Sequence, residues 1–148
     1  MSKEAEVKAI YLARDDHVPP LPSRPVRRIM STPPVCVAAD ATLGHALRAM
    51  VRGERRHLVV VASDGTCRGV LADRTIVAAW ARDPEMLDAA SVESTLDPRA
   101  AIVDEGASVA VAARLMRSAG VDAVAVVDAN LRPVGIVTGS DIVALLAA

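Results

Sequence analysis

The stretch "GIVTGSDIVALL" (residues 135–146) lies at the end of the chain, and "GVLADRTIVAAW" (residues 69–80) stands 66 positions before it. Each has a glycine, an apolar triplet, a short polar break and then Ile-Val-Ala. They part at the polar positions: the later copy has Thr138 and Asp141, the earlier one Ala72 and Thr75. The same offset of 66 relates Val26 to Val92, Val37 to Val103, Ala46 to Ala112, Arg48 to Arg114, Met50 to Met116 and Val60-Val61 to Val126-Val127, with no gap. One register held over so long a stretch means internal duplication.

Each copy carries the same pattern of elements. A short apolar strand comes first ("VCV", "AIV"). A helix follows, with Leu43, Ala46, Leu47 and Met50 on one face of the first copy and Val109, Ala112, Ala113 and Met116 on the matching face of the second. A continuous apolar strand ("HLVVVA", "AVAVVD") turns through "SDG" or "DANLRP" into another strand, and a closing helix ends the unit. Uninterrupted valine runs predict strands covered on both faces. The reading is an α+β fold of two tandem βαββα repeats, at residues 25–82 and 92–148, sharing one core. Residues 1–24 form a tail outside the repeat, where "EAEVKAIYLAR" reads as a helix and "HVPPLPSRP" as extended. Residues 83–91 are a linker.

Composition narrows the function. The chain has 148 residues, of which 52% are hydrophobic, yet it has no Phe, one Tyr and one Trp. Aromatic platforms for stacking on nucleobases are nearly absent, and a net charge of −1 gives no field to attract nucleic acid. No segment has the roughly 20 apolar residues of a membrane span, and no export signal precedes the repeats; a cytoplasmic location is expected. Cys36 and Cys67 fit no metal spacing and read as plain buried thiols. No nucleophile elbow, phosphate loop or metal motif appears, so neither an enzyme nor a metal site is expected.

The motifs "DATLGHALRAM" (40–50), "VVVASDG" (59–65) and "GIVTGSDI" (135–142), found twice in order, make the chain resemble the CBS domain family. Two such units form a CBS pair, or Bateman module; this one resembles a stand-alone pair. The resemblance implies two repeats packed about a pseudo-two-fold axis with two clefts between them. It also implies a regulatory module that binds AMP, ADP, ATP or S-adenosylmethionine and forms homodimers. A ligand-free interaction module is the alternative. On that likeness Thr138 and Asp141 fall on the family's ribose- and phosphate-reading positions, with Ser140 beside them. Ile102, Val121, Ala123 and Val124 fall at strand entries that line the cleft, and His57 at the mouth of the first repeat's central strand. Arg74 matches Ser140 by position and is the leading phosphate cation; Arg55, Arg56, Arg99, Arg117 and Arg132 are the other candidates. The chain departs from the family where Val59 and Ala125 stand in place of a frequent proline.

Chemistry supports part of this unaided. A carboxylate at a helix start can accept both hydroxyls of a ribose, and the free N–H groups there favour phosphate. The same residues also suit plain helix capping. The first copy, with Ala72 and Thr75, has no carboxylate, so one competent cleft and one degenerate cleft are expected. Surplus apolar residues on the closing helices point to a homodimer, with Trp80 as either anchor or core.

Overall fold

The computed structural model describes residues 20–97 and 101–148. The first repeat runs β1 (Cys36–Ala38), α1 (Leu43–Gly53), β2 (His57–Val61), β3 (Cys67–Ala72) and α2 (Asp73–Arg82). A short helix, α3 (Met86–Ala89), follows. The second repeat repeats the order as β4 (Ile102–Asp104), α4 (Val109–Ala119), β5 (Ala123–Val127), β6 (Pro133–Thr138) and α5 (Gly139–Ala147). This is the predicted α+β architecture.

The duplication extends to the hydrogen-bond ladder. In each three-stranded sheet the central strand pairs parallel with the first and antiparallel with the third. Cys36 pairs with Val59 as Ile102 pairs with Ala125, and His57 with Ala72 as Ala123 with Thr138. Both hairpins slip register at the same place, between Val60 and Val61 and between Val126 and Val127.

Strand alternation sorts the side chains. Leu58 and Val60 of β2 turn toward α1 and α2, where they meet Leu43, Ala46, Leu71 and Ile76. Val124 and Val126 of β5 turn toward α4 in the same way. The residues between them, Val59 in β2 and Ala123, Ala125 and Val127 in β5, face the other sheet and form a third cluster with Cys67 and Ile136. The expected single core is therefore two helix-facing cores joined by a sheet-to-sheet layer. Small residues at 123 and 125 let the sheets approach closely.

The repeats also exchange their leading segments. Val26 is fully buried in the second repeat's core, and Val92 in the first repeat's. The Val26 N–H donates to the Ala107 carbonyl at 2.8 Å and the Val109 N–H to Arg24 O at 2.7 Å. The mirrored pair is Val92 N–H to Ala41 O at 2.8 Å and Leu43 N–H to Ala90 O at 3.1 Å. Thus Arg24, assigned to the tail, is part of the fold. Leu21–Ser23 and Val26–Arg28 form two 3₁₀ turns, the first of them within the Pro-rich stretch expected to be extended; Pro20 and Pro25 stand just before the two turns and Pro22 second in the first, while Arg24 and Pro25 between them are extended. The helix expected in the tail lies outside the described residues.

Cys67 is buried, but Cys36 is exposed, which corrects the expectation of two buried thiols. β1 is an edge strand, and only its middle residue, Val37, points inward. Among the described residues no helix is long and apolar enough to cross a membrane.

Candidate functional site

Each repeat's antiparallel hairpin delivers the strand-to-helix junction of that repeat to the axis between the two. There it meets the start of the other repeat's central strand. The Ala72–Thr75 junction faces Val121, Asp122 and Ala123 across a cavity of about 120 Å³. The Thr138–Ser140 junction faces Arg56, His57 and Asp122 across a wider cleft of about 620 Å³. Five of the predicted site residues, Thr138, Ser140, Val121, Ala123 and His57, line these clefts. Thr138 and Ser140 line the wide one. Val121 and Ala123 line the narrow one. His57 borders both.

Two predicted lining residues line neither cleft. Val124 is fully buried against α4, because it alternates with Ala123 along β5 and points the other way. Ile102 is half-buried in the layer between the sheets. Arg74 edges a third groove of about 500 Å³, beside Arg82, Ser94 and Thr95. Its guanidinium donates to the Gly120 carbonyl of the other repeat at 2.8 Å. Arg99 lies outside the described residues.

Asp141, the residue after Ser140, lines neither cleft. The Thr138 N–H donates to Asp141 Oδ2 at 2.8 Å and the Thr138 hydroxyl donates to the same oxygen at 3.2 Å. This is the side-chain-to-backbone arm of a capping box, in which the third helical residue reaches back to the residue before the helix. It fixes the junction's shape and leaves Oδ1 for another partner. Thr75, one atom shorter in reach and uncharged, makes no such return in the first repeat.

The polar group between the clefts is a pair that the sequence reading missed. His57 Nε2 and Asp122 Oδ1 lie 2.8 Å apart. His57 shows 14% of its side-chain surface and Asp122 shows 61%. Burial alone would raise the Asp122 carboxyl, but the hydrogen bond and charge of His57 outweigh it, with Arg74 adding to the effect, and the carboxyl ends below its usual range. Being ionised at neutral pH, it can only accept, so the Nε2 of His57 carries the proton. One signal for Asp122 was present in the sequence: at the offset of 66 it replaces Arg56, so opposite charges occupy equivalent places on the two sides of the axis. Among the described residues no group of three or more His, Cys, Asp and Glu could hold a metal ion.

Comparison with known proteins places this fold. The family model for the CBS domain matches residues 26–82 and again 92–148. The chain therefore belongs to the CBS domain family, as a tandem pair. A CBS domain-containing protein of Dictyostelium discoideum is 30% identical over 131 residues, covering 82% of this chain and 90% of its own. The CBS domain pair of protein MJ0100, solved with 5′-methylthioadenosine and S-adenosylmethionine, superposes with a TM-score of 0.74 at 26% identity, covering 85% of this chain and 98% of that one. Hypoxic Response Protein I, solved with two coordinated zinc ions, superposes with a TM-score of 0.72 at 28% identity, covering 82% and 98%.

Proposed function

We propose that this CBS pair is a regulatory, non-catalytic sensor of an adenosine-containing nucleotide of the AMP, ADP or ATP class, taken in the cleft at the start of α5. The observation that carries the reading is Asp141: its carboxylate is held at the helix start through one oxygen, and the other is left for a ribose hydroxyl. Size agrees. The cleft's volume of about 620 Å³ falls within the range of roughly 300–1,000 Å³ usual for small-molecule sites. The 120 Å³ cavity at Ala72 and Thr75 falls below it. Arg56 and the Ser140 hydroxyl and N–H offer a phosphate its partners. The MJ0100 pair, with its adenosine-derived ligands, supports the ligand class and keeps S-adenosylmethionine as the alternative.

Calorimetry with AMP, ADP, ATP and S-adenosylmethionine tests the reading. Asp141→Ala is expected to weaken binding by about ten- to a hundredfold, the scale of a charged hydrogen bond, while Thr75→Ala changes little. A 2′-deoxy ligand loses affinity for the wild type but little more for Asp141→Ala, because both changes remove the same contact. Additive losses would reduce Asp141 to a helix cap.

The module is further proposed to work as a homodimer. Val77 and Trp80 on α2 are 61% and 51% exposed, and their counterparts Val143 and Leu146 on α5 are 64% and 68% exposed. Two matched apolar stripes related by a pseudo-two-fold axis suit a self-complementary interface. Light scattering at tens of micromolar is expected to give a dimer, and Trp80→Arg combined with Leu146→Arg a monomer. A monomeric wild type would reject the assembly.

A further inference from the structure

The two strand-to-helix junctions are joined by a chain of hydrogen bonds through the axis. At the start of α2, the Asp73 N–H donates to the Arg56 carbonyl at 2.9 Å. At the start of α5, the Gly139 N–H donates to the Asp122 carbonyl at 2.9 Å. Those two bonds are pseudo-symmetric copies of each other. Between them the His57 imidazole, on the residue after Arg56, donates to the Asp122 carboxylate at 2.8 Å. This central link has no copy, because the equivalents of His57 and Asp122 are Ala123 and Arg56. It is also the only one of the three made by side chains, so it can be cut without touching the strand ladder. Both residues border both clefts.

We propose that the His57–Asp122 pair is a coupling element: a displacement of the α5 junction is passed to the α2 junction, and the reverse, through this contact. The inference that ligand binding exploits the coupling rests on the nucleotide reading above; the coupling itself does not. A ligand seated at Thr138 and Ser140 pulls on the α5 start, Asp122 follows through its carbonyl, and its side chain moves His57 and with it Arg56 and the Asp73 anchor. The narrow cleft is thereby a receiver for events in the wide one, which gives the duplicated fold a use for a copy that has Thr75 in place of a carboxylate.

The test needs no ligand. Gly139→Pro replaces the N–H that holds Asp122, 2.9 Å from its carbonyl, with a ring carbon, which breaks the bond and displaces that carbonyl, and proline is tolerated at the first position of a helix. Amide exchange of Asp73 and Arg74 is then followed by NMR in the full chain. Gly139→Pro is expected to speed exchange at these two amides by about two- to thirtyfold, the range of typical coupling energies. In an Asp122→Ala background, which leaves the residue 122 carbonyl in place, the same substitution is expected to leave them unchanged. His57→Leu, which keeps bulk and removes the donor, should act like Asp122→Ala. An ordinary structural role would lower the melting temperature of these variants without erasing the response at residues 73 and 74. The proposal is overturned if Gly139→Pro leaves those amides unmoved, or if their response survives Asp122→Ala. Neither result bears on nucleotide affinity, which calorimetry on the wild type reads separately.

Discussion

The two repeats agree where they build and differ where they meet. Strand pairing, bulge position, helix N-caps at Thr42 and Ser108, and the exchange of Val26 for Val92 are the same on both sides. Four of the differences fall at the axis: Ala72 against Thr138, Thr75 against Asp141, Arg56 against Asp122, His57 against Ala123. A duplicated fold has to keep its ladders and cores in both copies, since each half alone is of the size at which buried surface is only marginally sufficient. The junctions bear no such load. One copy can lose a carboxylate and the other gain one at no cost to packing, which is how a symmetric frame comes to hold an asymmetric site.

The largest effect is expected from testing the exchange. Val26→Ala and Val92→Ala each empty a fully buried site and should cost about 1.5–3 kcal/mol. The location matters more than the size. Val26 belongs to the first copy by sequence but packs in the second core. Hydrogen exchange should therefore quicken first in α4 and β5 for Val26→Ala, and in α1 and β2 for Val92→Ala. Loosening confined to each residue's own repeat would mean that the copies are independent units.

A somewhat smaller effect is expected at Gly135. A Cβ there would lie 2.5 Å from Met30 Sδ and 3.0 Å from the Ser31 carbonyl. The methionine can swing aside, but the carbonyl is fixed by the exchange of hydrogen bonds between Ser31 and Ile136. Gly135→Ala should cost about 1–3 kcal/mol as an overpacked site. Denaturant midpoints measure it, and no change would show that the leading segment yields freely.

Much of this was legible in the sequence. The offset of 66 determined the repeats, and apolar spacing at Leu43, Ala46 and Met50 and at Val109, Ala112 and Met116 placed the buried helix faces. Periodicity within a repeat says nothing about which copy a leading segment packs on, so the exchange at Val26 and Val92 was hidden. The site suffered from the same gap. Grouping Val121, Ala123 and Val124 with Thr138 assumed that a repeat lines its own cleft. The hairpins instead carry each junction across the axis, and alternation in β5 turns Val124 into the core. His57 was singled out by its place at a strand mouth, but its partner, 65 residues away, was beyond any local pattern.

The helix ends give a smaller, symmetric test. α4 ends on Gly120 with φ of 66°, and α1 ends on Glu54 with φ of 52°, the same left-handed cap. A Cβ at Gly120 meets nothing within 4 Å, so only the backbone conformation resists a side chain there. Gly120→Ala should cost about 1 kcal/mol, and Glu54→Gly should gain about 0.5–1 kcal/mol by relieving the same strain. Shifts of opposite sign in melting temperature would confirm that the left-handed cap favours glycine at both ends.

The smallest effect concerns pH and the His57–Asp122 contact, which has no copy. The Asp122 carboxyl is held below its usual range in the folded chain, so the ionised form is favoured by folding. A carboxyl lowered on folding contributes stability above its unfolded value, near 3.9, and that contribution disappears as pH falls through the folded value. Asp122 is largely exposed, so solvent screening limits the pair to about 0.2–1 kcal/mol. Asp122→Asn should therefore melt slightly below the wild type at neutral pH, with the gap closing below about pH 4 as the wild-type carboxyl takes up its proton. Arg56→Gln, at the equivalent position on the other side of the axis, should show no such closing gap, since it loses no carboxylate. A gap that persists unchanged to pH 3 would mean that Asp122 stabilises the axis through its shape and neutral hydrogen bonding, and that the charge on one side of the dyad is immaterial to how the two repeats are held together.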